Sequence, residues 1–321
     1  MTQTGFGVVD ARAGGFVRPE VVLYRAEWAL VAVVLGLLAL TFAFDALRPA
    51  QVIWSGYLVP IAASLMLVAL GGFIRARRPM KRVAAFATGL GIFMAFSAVA
   101  GVFIYLIFPF SGPTIDPFLI RVDAALGYDW AALVIWLAGW PLLGQALALI
   151  YMTSIPQLVL VIAVLAWTTR ITEMHRFLAV GILGMIVTVA VWWVFPSVGP
   201  TPFVAIPAEG ALIGLVVGQA YADALMHLVT VGPGVIRADQ TVGVIAFPSF
   251  HMFMACMTVW FSRRTPLFWG ALGVNLLMVP ATLSHGGHHL VDLIASVALF
   301  AAVVALCARL VPEQGADLRC P

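Results

Sequence analysis

Long apolar runs, broken by short polar or charged stretches, dominate this sequence. A helix that crosses a bilayer needs roughly 20 mostly apolar residues. Eight segments meet or approach that length: 27–44, 51–74, 83–108, 141–168, 177–195, 249–262, 266–283 and 289–309. The span 249–262 is short, so it is expected to start below the membrane surface or to borrow residues from the loop before it. Segment 116–130 reads as an interfacial helix. Asp116 is placed to cap it, Pro117 stands at its first position, Leu119, Val122 and Leu126 share a face, and Gly127 ends it. Segment 209–230 is a second amphipathic or re-entrant candidate. The Pro- and Gly-rich loop 195–202 stops the fifth span in a rigid turn. The pattern shows no internal repeat. It predicts an all-α fold, a polytopic membrane helix bundle of about eight spans with interfacial helices.

Composition supports this pattern. Of 321 residues, 63% are hydrophobic and 10% charged, against about 25% charged in soluble domains. No basic tract with interleaved aromatics points to nucleic acid. Lys81 is the only lysine, so cationic roles fall to arginine and histidine. The three cysteines, Cys256, Cys307 and Cys320, form neither a CxxC pair nor an even framework, which argues against a disulfide fold or zinc–thiolate site. The N-terminus has no basic run leading into a short apolar core, and no small-x-small cleavage site follows, so the first span reads as a retained helix.

Charge placement gives an orientation. With the N-terminus cytoplasmic and the spans alternating, fourteen of the 17 lysines and arginines fall on the cytoplasmic side. Arg48, Arg121 and Arg237 fall on the other. The positive-inside rule then predicts that both termini are cytoplasmic. The Ala-, Val- and Leu-rich composition suggests a GC-rich bacterial genome, an inner-membrane location and a periplasmic outer face.

On that outer face lie two polar stretches. The first is Pro248-Ser249-Phe250-His251. The second runs from Ser284 through His285, Gly286, Gly287, His288 and His289 to Asp292. Within a helix, His288 and Asp292 would share a face one turn apart. A carboxylate on one ring nitrogen fixes the tautomer and makes the other nitrogen a better nucleophile or base. Gly286 and Gly287 permit a tight turn and close approach of a ligand to the backbone. The free N–H groups opening the last span favour an anion. Ser249 can cap the sixth span, which puts His251 in its first turn as a candidate general acid.

Two histidines and a carboxylate without metal–thiolate chemistry fit phosphoryl transfer through a phosphohistidine. His288 would attack phosphorus, Asp292 would stabilise the ring charge, and His251 would protonate the leaving alkoxide. Cations for the phosphate are sought first in Arg237 and then in Arg121. The bland alternative for each is a pair with nearby Asp239 or Asp123. A lone HxxxD is a weak signal, and a lone histidine at a membrane edge is more often packing. Ionisable groups at membrane depth, however, default to function, and here two such stretches open helices on one side. His175, beside Arg176, reads as a solvated loop residue. His227 reads as packing.

These residues resemble the phosphatidic acid phosphatase type 2 superfamily. The family's middle motif ends Pro-Ser-Gly-His, where this chain has Pro248-Ser249-Phe250-His251. Its last motif is Ser-Arg, five residues, His, three residues, Asp, where this chain has Ala281-Thr282, His288 and Asp292. The family's first motif, a lysine followed by Arg-Pro, is absent. A bulky residue before the middle histidine and a threonine in place of the arginine resemble the inositol phosphorylceramide synthase branch. So do Asp116…Asp123…Gly127…Trp130 and Tyr151…Ser154…Gln157. The resemblance implies His288 as nucleophile, Asp292 as its orienting partner and His251 as acid. Substrate contacts are expected from Ser249, Gly286, Gly287, His285, Arg237 and Arg121, with no cofactor and no metal.

The implied organisation is an N-terminal segment with two extra spans (1–82), a six-helix catalytic core (83–310) and a cytoplasmic tail (311–321). The implied activity is a metal-independent lipid phosphotransferase or phosphatase acting on a phospholipid or lipid-linked phosphate, leaning to headgroup transfer. Two other classes stand beside it. One is a metal-binding or transport protein using His251, His285, His288 and His289. The other is a non-catalytic protein that only binds lipid.

Overall fold

The computed structural model describes residues 23–78, 80–239 and 242–311. The N-terminal segment with Arg12 and Arg18, and the tail with Arg319 and Cys320, lie outside the described residues. The helices are α1 (Arg25–Leu47), α2 (Ser55–Arg77), α3 (Lys81–Leu106), α4 (Asp116–Ala125), α5 (Trp130–Ala138), α6 (Pro141–Met152), α7 (Ser154–Trp167), α8 (Ile171–Val194), α9 (Gln219–Thr230), α10 (Phe250–Ser262), α11 (Phe268–His285) and α12 (Leu290–Leu310). A 3-10 turn occupies Ala208–Ile213. Two short strands, β1 (Gln51–Val52) and β2 (Val235–Ile236), pair in parallel and clip the α1–α2 loop to the segment after α9. The protein is an all-α polytopic membrane bundle.

All eight apolar segments form helix. Five of them (α1, α2, α3, α8 and α12) are long and apolar enough to cross a membrane, and α6 with α7 makes a sixth if the bent pair counts as one span. The predicted single span 141–168 is therefore broken, with a 52° bend. Pro156 explains the break: it has no N–H for the carbonyl of Met152 four residues earlier. The two remaining segments are those that carry the polar stretches. α10 has 13 residues. α11 carries Asn275, Pro280, Ser284 and His285 among its apolar residues.

The core lies between α3, α7, α8, α10 and α12, where Phe96, Ile162, Phe177, Phe253 and Phe300 pack together. α2 lies against α3 through small residues. A Cβ on Gly71 would sit 2.2 Å from Thr88 Oγ1, and one on Gly91 would sit 2.8 Å from the Ser64 carbonyl. In a membrane, where apolar burial between helices gains little, such close backbone approach supplies the attraction.

α8 runs from Arg176 to Trp192, α10 from His251 to Arg263, and α12 from Asp292 to Arg309. One end of the bundle therefore carries Arg176, Arg263 and Arg309 and the other the histidine site, roughly 18–26 Å apart at 1.5 Å per helical residue. At the arginine end, Glu27 of α1 is fully buried. It accepts two hydrogen bonds from Arg75, at 2.6 and 2.9 Å, and lies 3.3 Å from His175 Nε2. His175 is thus not a solvated loop residue. It is buried within α8, because α1 brings a carboxylate to it.

Removing one partner from a buried ion pair leaves a stranded charge. Glu27→Ala is expected to lower the melting temperature in detergent by roughly 5–10 °C. An unchanged thermal transition would show that this cluster does not hold α1 and α2 on the bundle.

Candidate active site

The turn between α11 and α12 and the start of α10 meet at the end of the bundle opposite the arginines. Asp292, one turn into α12, accepts the backbone N–H of His289 at 2.9 Å and lies 3.1 Å from His288 Nδ1. With Nδ1–H given to Asp292, Nε2 is the basic nitrogen of His288. Ser249 Oγ stands 3.3 Å from it. Ser249 caps α10 by accepting from Met252 N–H. Its own N–H donates to the Asp292 carbonyl at 3.3 Å, and its carbonyl accepts from Ser296 Oγ at 2.8 Å. The two polar stretches, distant in sequence, are thus stitched along one face of α12. The His251 ring faces that of His288 at 6.3 Å between centroids. Tyr151, at the end of α6, stacks on His251 at 4.3 Å and places its hydroxyl 3.4 Å from Nδ1.

Behind His288 lies a cluster whose members the sequence marks separately but does not bring together. His289 is fully buried between Asp123, 3.0 Å from its Nδ1, and Asp116, 3.2 Å from its Nε2. Asp116 also accepts from Ser197 Oγ and from the N–H groups of Val198 and Gly199. Asp123 accepts from the N–H groups of Leu290 and Val291 at the free start of α12. Asp116 therefore does not cap α4, whose N-cap is Ile115. Tertiary donors claim its side chain instead. Its spacing of seven from Asp123 does put both on one helix face, and that is the sequence signal that marks the pair.

The electrostatics separate the two adjacent histidines. Burial opposes charge on His289, but its hydrogen bonds to Asp116 and Asp123 outweigh burial and hold its pKa up at about 9. Burial, followed by the neighbouring positive charge of His289, pushes His288 down to about 3. At neutral pH the orienting ring is charged and the ring beside it is neutral, the state a nitrogen nucleophile needs.

The other expected contact residues are placed as follows. Gly287 adopts φ 58°, which permits the tight turn. A Cβ on Gly286 would meet His288 Cδ2 at 2.8 Å and Tyr151 at 2.9 Å, so this glycine lets protein groups close on the ring. His285 is fully buried, with Gly144 backbone nearby but neither ring nitrogen in a well-formed hydrogen bond. Thr201 Oγ1, Thr282 Oγ1 and Asp292 Oδ1 are likewise buried without a partner among the described residues. Arg237 is exposed and forms a forked pair with Asp239. Arg121 lies 5.9 Å from the Phe118 ring. The structure shows neither arginine bonded to the histidines. Among the described residues, no three His, Cys, Asp or Glu side chains are arranged to hold a metal.

An apolar cavity of about 370 Å³ opens beside His251. Phe96 and Ile104 of α3, Leu158 of α7, Ile182 of α8 and Met254 of α10 help to line it. His251 is half-buried, and it lines this cavity.

The family model described as the PAP2 superfamily matches residues 117–306, and the chain belongs to that superfamily. Together with the apolar helices, this membership defines an integral-membrane phosphoesterase or phosphotransferase. Comparisons with curated proteins and with solved structures give no significant match.

Two outcomes follow from the His289 cluster. Its folded pKa of about 9 lies above the ordinary 6.5. Its stabilisation is therefore fully present below pH 6.5 and lost as pH rises through 9. The melting temperature should fall between pH 7 and 10, and that fall should flatten in His289→Gln. Equal slopes in the two proteins would mean that His289 is not held charged. Gly199 has φ +87°, and a Cβ there would sit 2.1 Å from the Gly287 carbonyl. Gly199→Ala should cost at least about 2 kcal/mol in stability, read as a lower denaturation midpoint.

Proposed function

We propose that this protein moves a lipid-linked phosphate group through a phosphohistidine on His288, at the non-cytoplasmic membrane face. The observation that carries the proposal is the constellation of His288, its Nδ1 held by Asp292 at 3.1 Å, with His251 facing it at 6.3 Å. His288 Nε2 attacks phosphorus, and the P–O bond to the lipid oxygen breaks. His251 gives its proton to the departing oxygen. An acceptor hydroxyl then loses its proton to His251 and attacks the phosphorus, breaking the N–P bond. Ser249 is placed to donate to a phosphate oxygen in this sequence.

The cavity beside His251 supports an apolar alcohol as the group that His251 protonates or deprotonates, because its walls are mostly apolar side chains that suit a hydrocarbon chain. The family arginine is replaced by Thr282. The unpartnered Thr282 and Thr201 hydroxyls and the His285 ring are candidates to receive the phosphate in its place. This pattern favours headgroup transfer of the inositol phosphorylceramide synthase kind over simple hydrolysis. The orientation rests on the positive-inside rule. The catalytic core is proposed to begin at α3, with α1 and α2 as an added pair.

The test follows free phosphate and new lipid species together. Purified protein is given a phospholipid panel, including phosphatidic acid, with and without a lipid alcohol acceptor such as a ceramide, with EDTA present. A new headgroup lipid that depends on the acceptor supports transfer. Free phosphate alone makes the protein a phosphatase. His288→Ala should reduce turnover by at least 10³-fold and abolish acid-labile phosphate on the protein. His251→Ala should cost about 10²–10⁴-fold with a lipid leaving group. With a phenolic leaving group, which needs no proton, the loss should be much smaller. Full turnover by His288→Ala would overturn the assignment.

A further inference from the structure

At the end of the bundle remote from the histidines, a pocket of about 180 Å³ lies between α8, α10 and α12. Arg176, Glu173 and Arg263 line its polar side, and Trp260, Val304 and Cys307 line its apolar side. The proposed reaction uses none of these residues.

The carboxylate in this pocket is loosely paired. Glu173 is shared by Arg176 at 3.6 Å and Arg263 at 3.9 Å, both longer than a well-formed hydrogen bond. Arg170 and Arg264 add like charge beside Arg263. Burial and these like charges, against the pull of Glu173, press the Arg263 guanidinium below its ordinary pKa. Among the described residues, one carboxylate thus stands among four arginines, and the net charge of these groups is positive. Arg263 also lies 4.2 Å over the Trp260 ring, and Trp260 is 42% exposed. A tryptophan at a helix end, with arginines beyond it, marks the level of lipid headgroups.

We propose that this pocket binds the headgroup of an anionic phospholipid from the leaflet at the arginine end. Guanidinium forks suit phosphate oxygens. The apolar wall suits the first carbons of the acyl chains, a surface that a free anion does not need. The volume is below the roughly 300 Å³ of a pocket that encloses a whole ligand, which agrees with a lipid whose chains remain in the bilayer. Basic pockets between helices on the cytoplasmic side are sites of this chemistry. Occupancy would join α8, α10 and α12 at their far ends, and α10 and α12 carry His251 and Asp292 at the other.

The test uses the full-length protein in a neutral detergent, with phosphatidylglycerol, phosphatidylcholine of the same chains, or inorganic phosphate added. Phosphatidylglycerol should raise the melting temperature by about 4 °C, and the other two by less than about 1 °C. Arg263→Gln should remove most of that shift, and Arg263→Lys should restore part of it. Arg263 is the variant of choice because Arg176 ties α8 to the Val311 carbonyl at 2.8 Å, whereas the backbone bond of Arg263 is to Trp260, one turn back at the end of its own helix. A shift that survives in Arg263→Gln, including one arising at the His288 site, overturns the proposal. So does equal stabilisation by phosphatidylcholine, which would make the effect uncharged, or by phosphate, which would make the site one for a free anion.

Discussion

The two carboxyl groups around His289 hold the working end of this protein together. Asp116 ties α4 to the loop 197–199, Asp123 ties it to the first turn of α12, and the imidazole joins the two. A charge buried at a membrane edge costs several kcal/mol unless it is paired and hydrogen-bonded. Here both carboxyl groups accept backbone N–H groups in addition to meeting the imidazole. The position of His288 follows from this, because it is the next residue in the chain and its backbone carbonyl accepts from Tyr128. His288 is placed by the cluster beside it.

That arrangement also separates the charge states of the two adjacent histidines. Adjacent imidazoles of similar exposure would compete for one proton. His289 has two carboxyl partners and keeps the charge. His288 has one, set on the far side of its ring, and remains neutral with Nε2 directed toward Ser249. The positive ring at its back also favours an approaching phosphate. Some of the attraction that arginine provides in a phosphate site can come from here, since neither Arg121 nor Arg237 is bonded to the histidines.

The two ends of the bundle use charge differently. At the histidine end, buried polar groups are closely interlocked, and the glycines there admit protein atoms rather than solvent. At the arginine end, Glu27 is tightly held, while Glu173 and its arginines are spread and partly open. α8, α10 and α12 run between these ends as continuous rods through one apolar core. Rigid helices of this kind carry a constraint from one membrane face to the other more readily than loops can.

The sequence alone determined the class of this protein. Twenty-residue apolar runs can satisfy their backbone in a bilayer only as helices, so the all-α bundle followed from hydropathy. The HxxxD spacing and the Pro-Ser-x-His stretch likewise marked His288, Asp292, Ser249 and His251, because local helical geometry dictates what i and i+4 can do. Long-range pairing is not encoded in any local pattern, and only the tertiary structure decided it. Asp116 read as a helix cap and His175 as a solvated loop residue, since nothing nearby in sequence shows that His289 or Glu27 will reach them. Arg237 and Arg121 were sought as phosphate cations because few basic residues lie on that side. The fold pairs Arg237 with Asp239, its neighbour two residues on, and sets Arg121 beside Phe118. The broken span at Thr153 and the cavity beside His251 arise from how Pro156 bends the chain and how four helices pack around the gap.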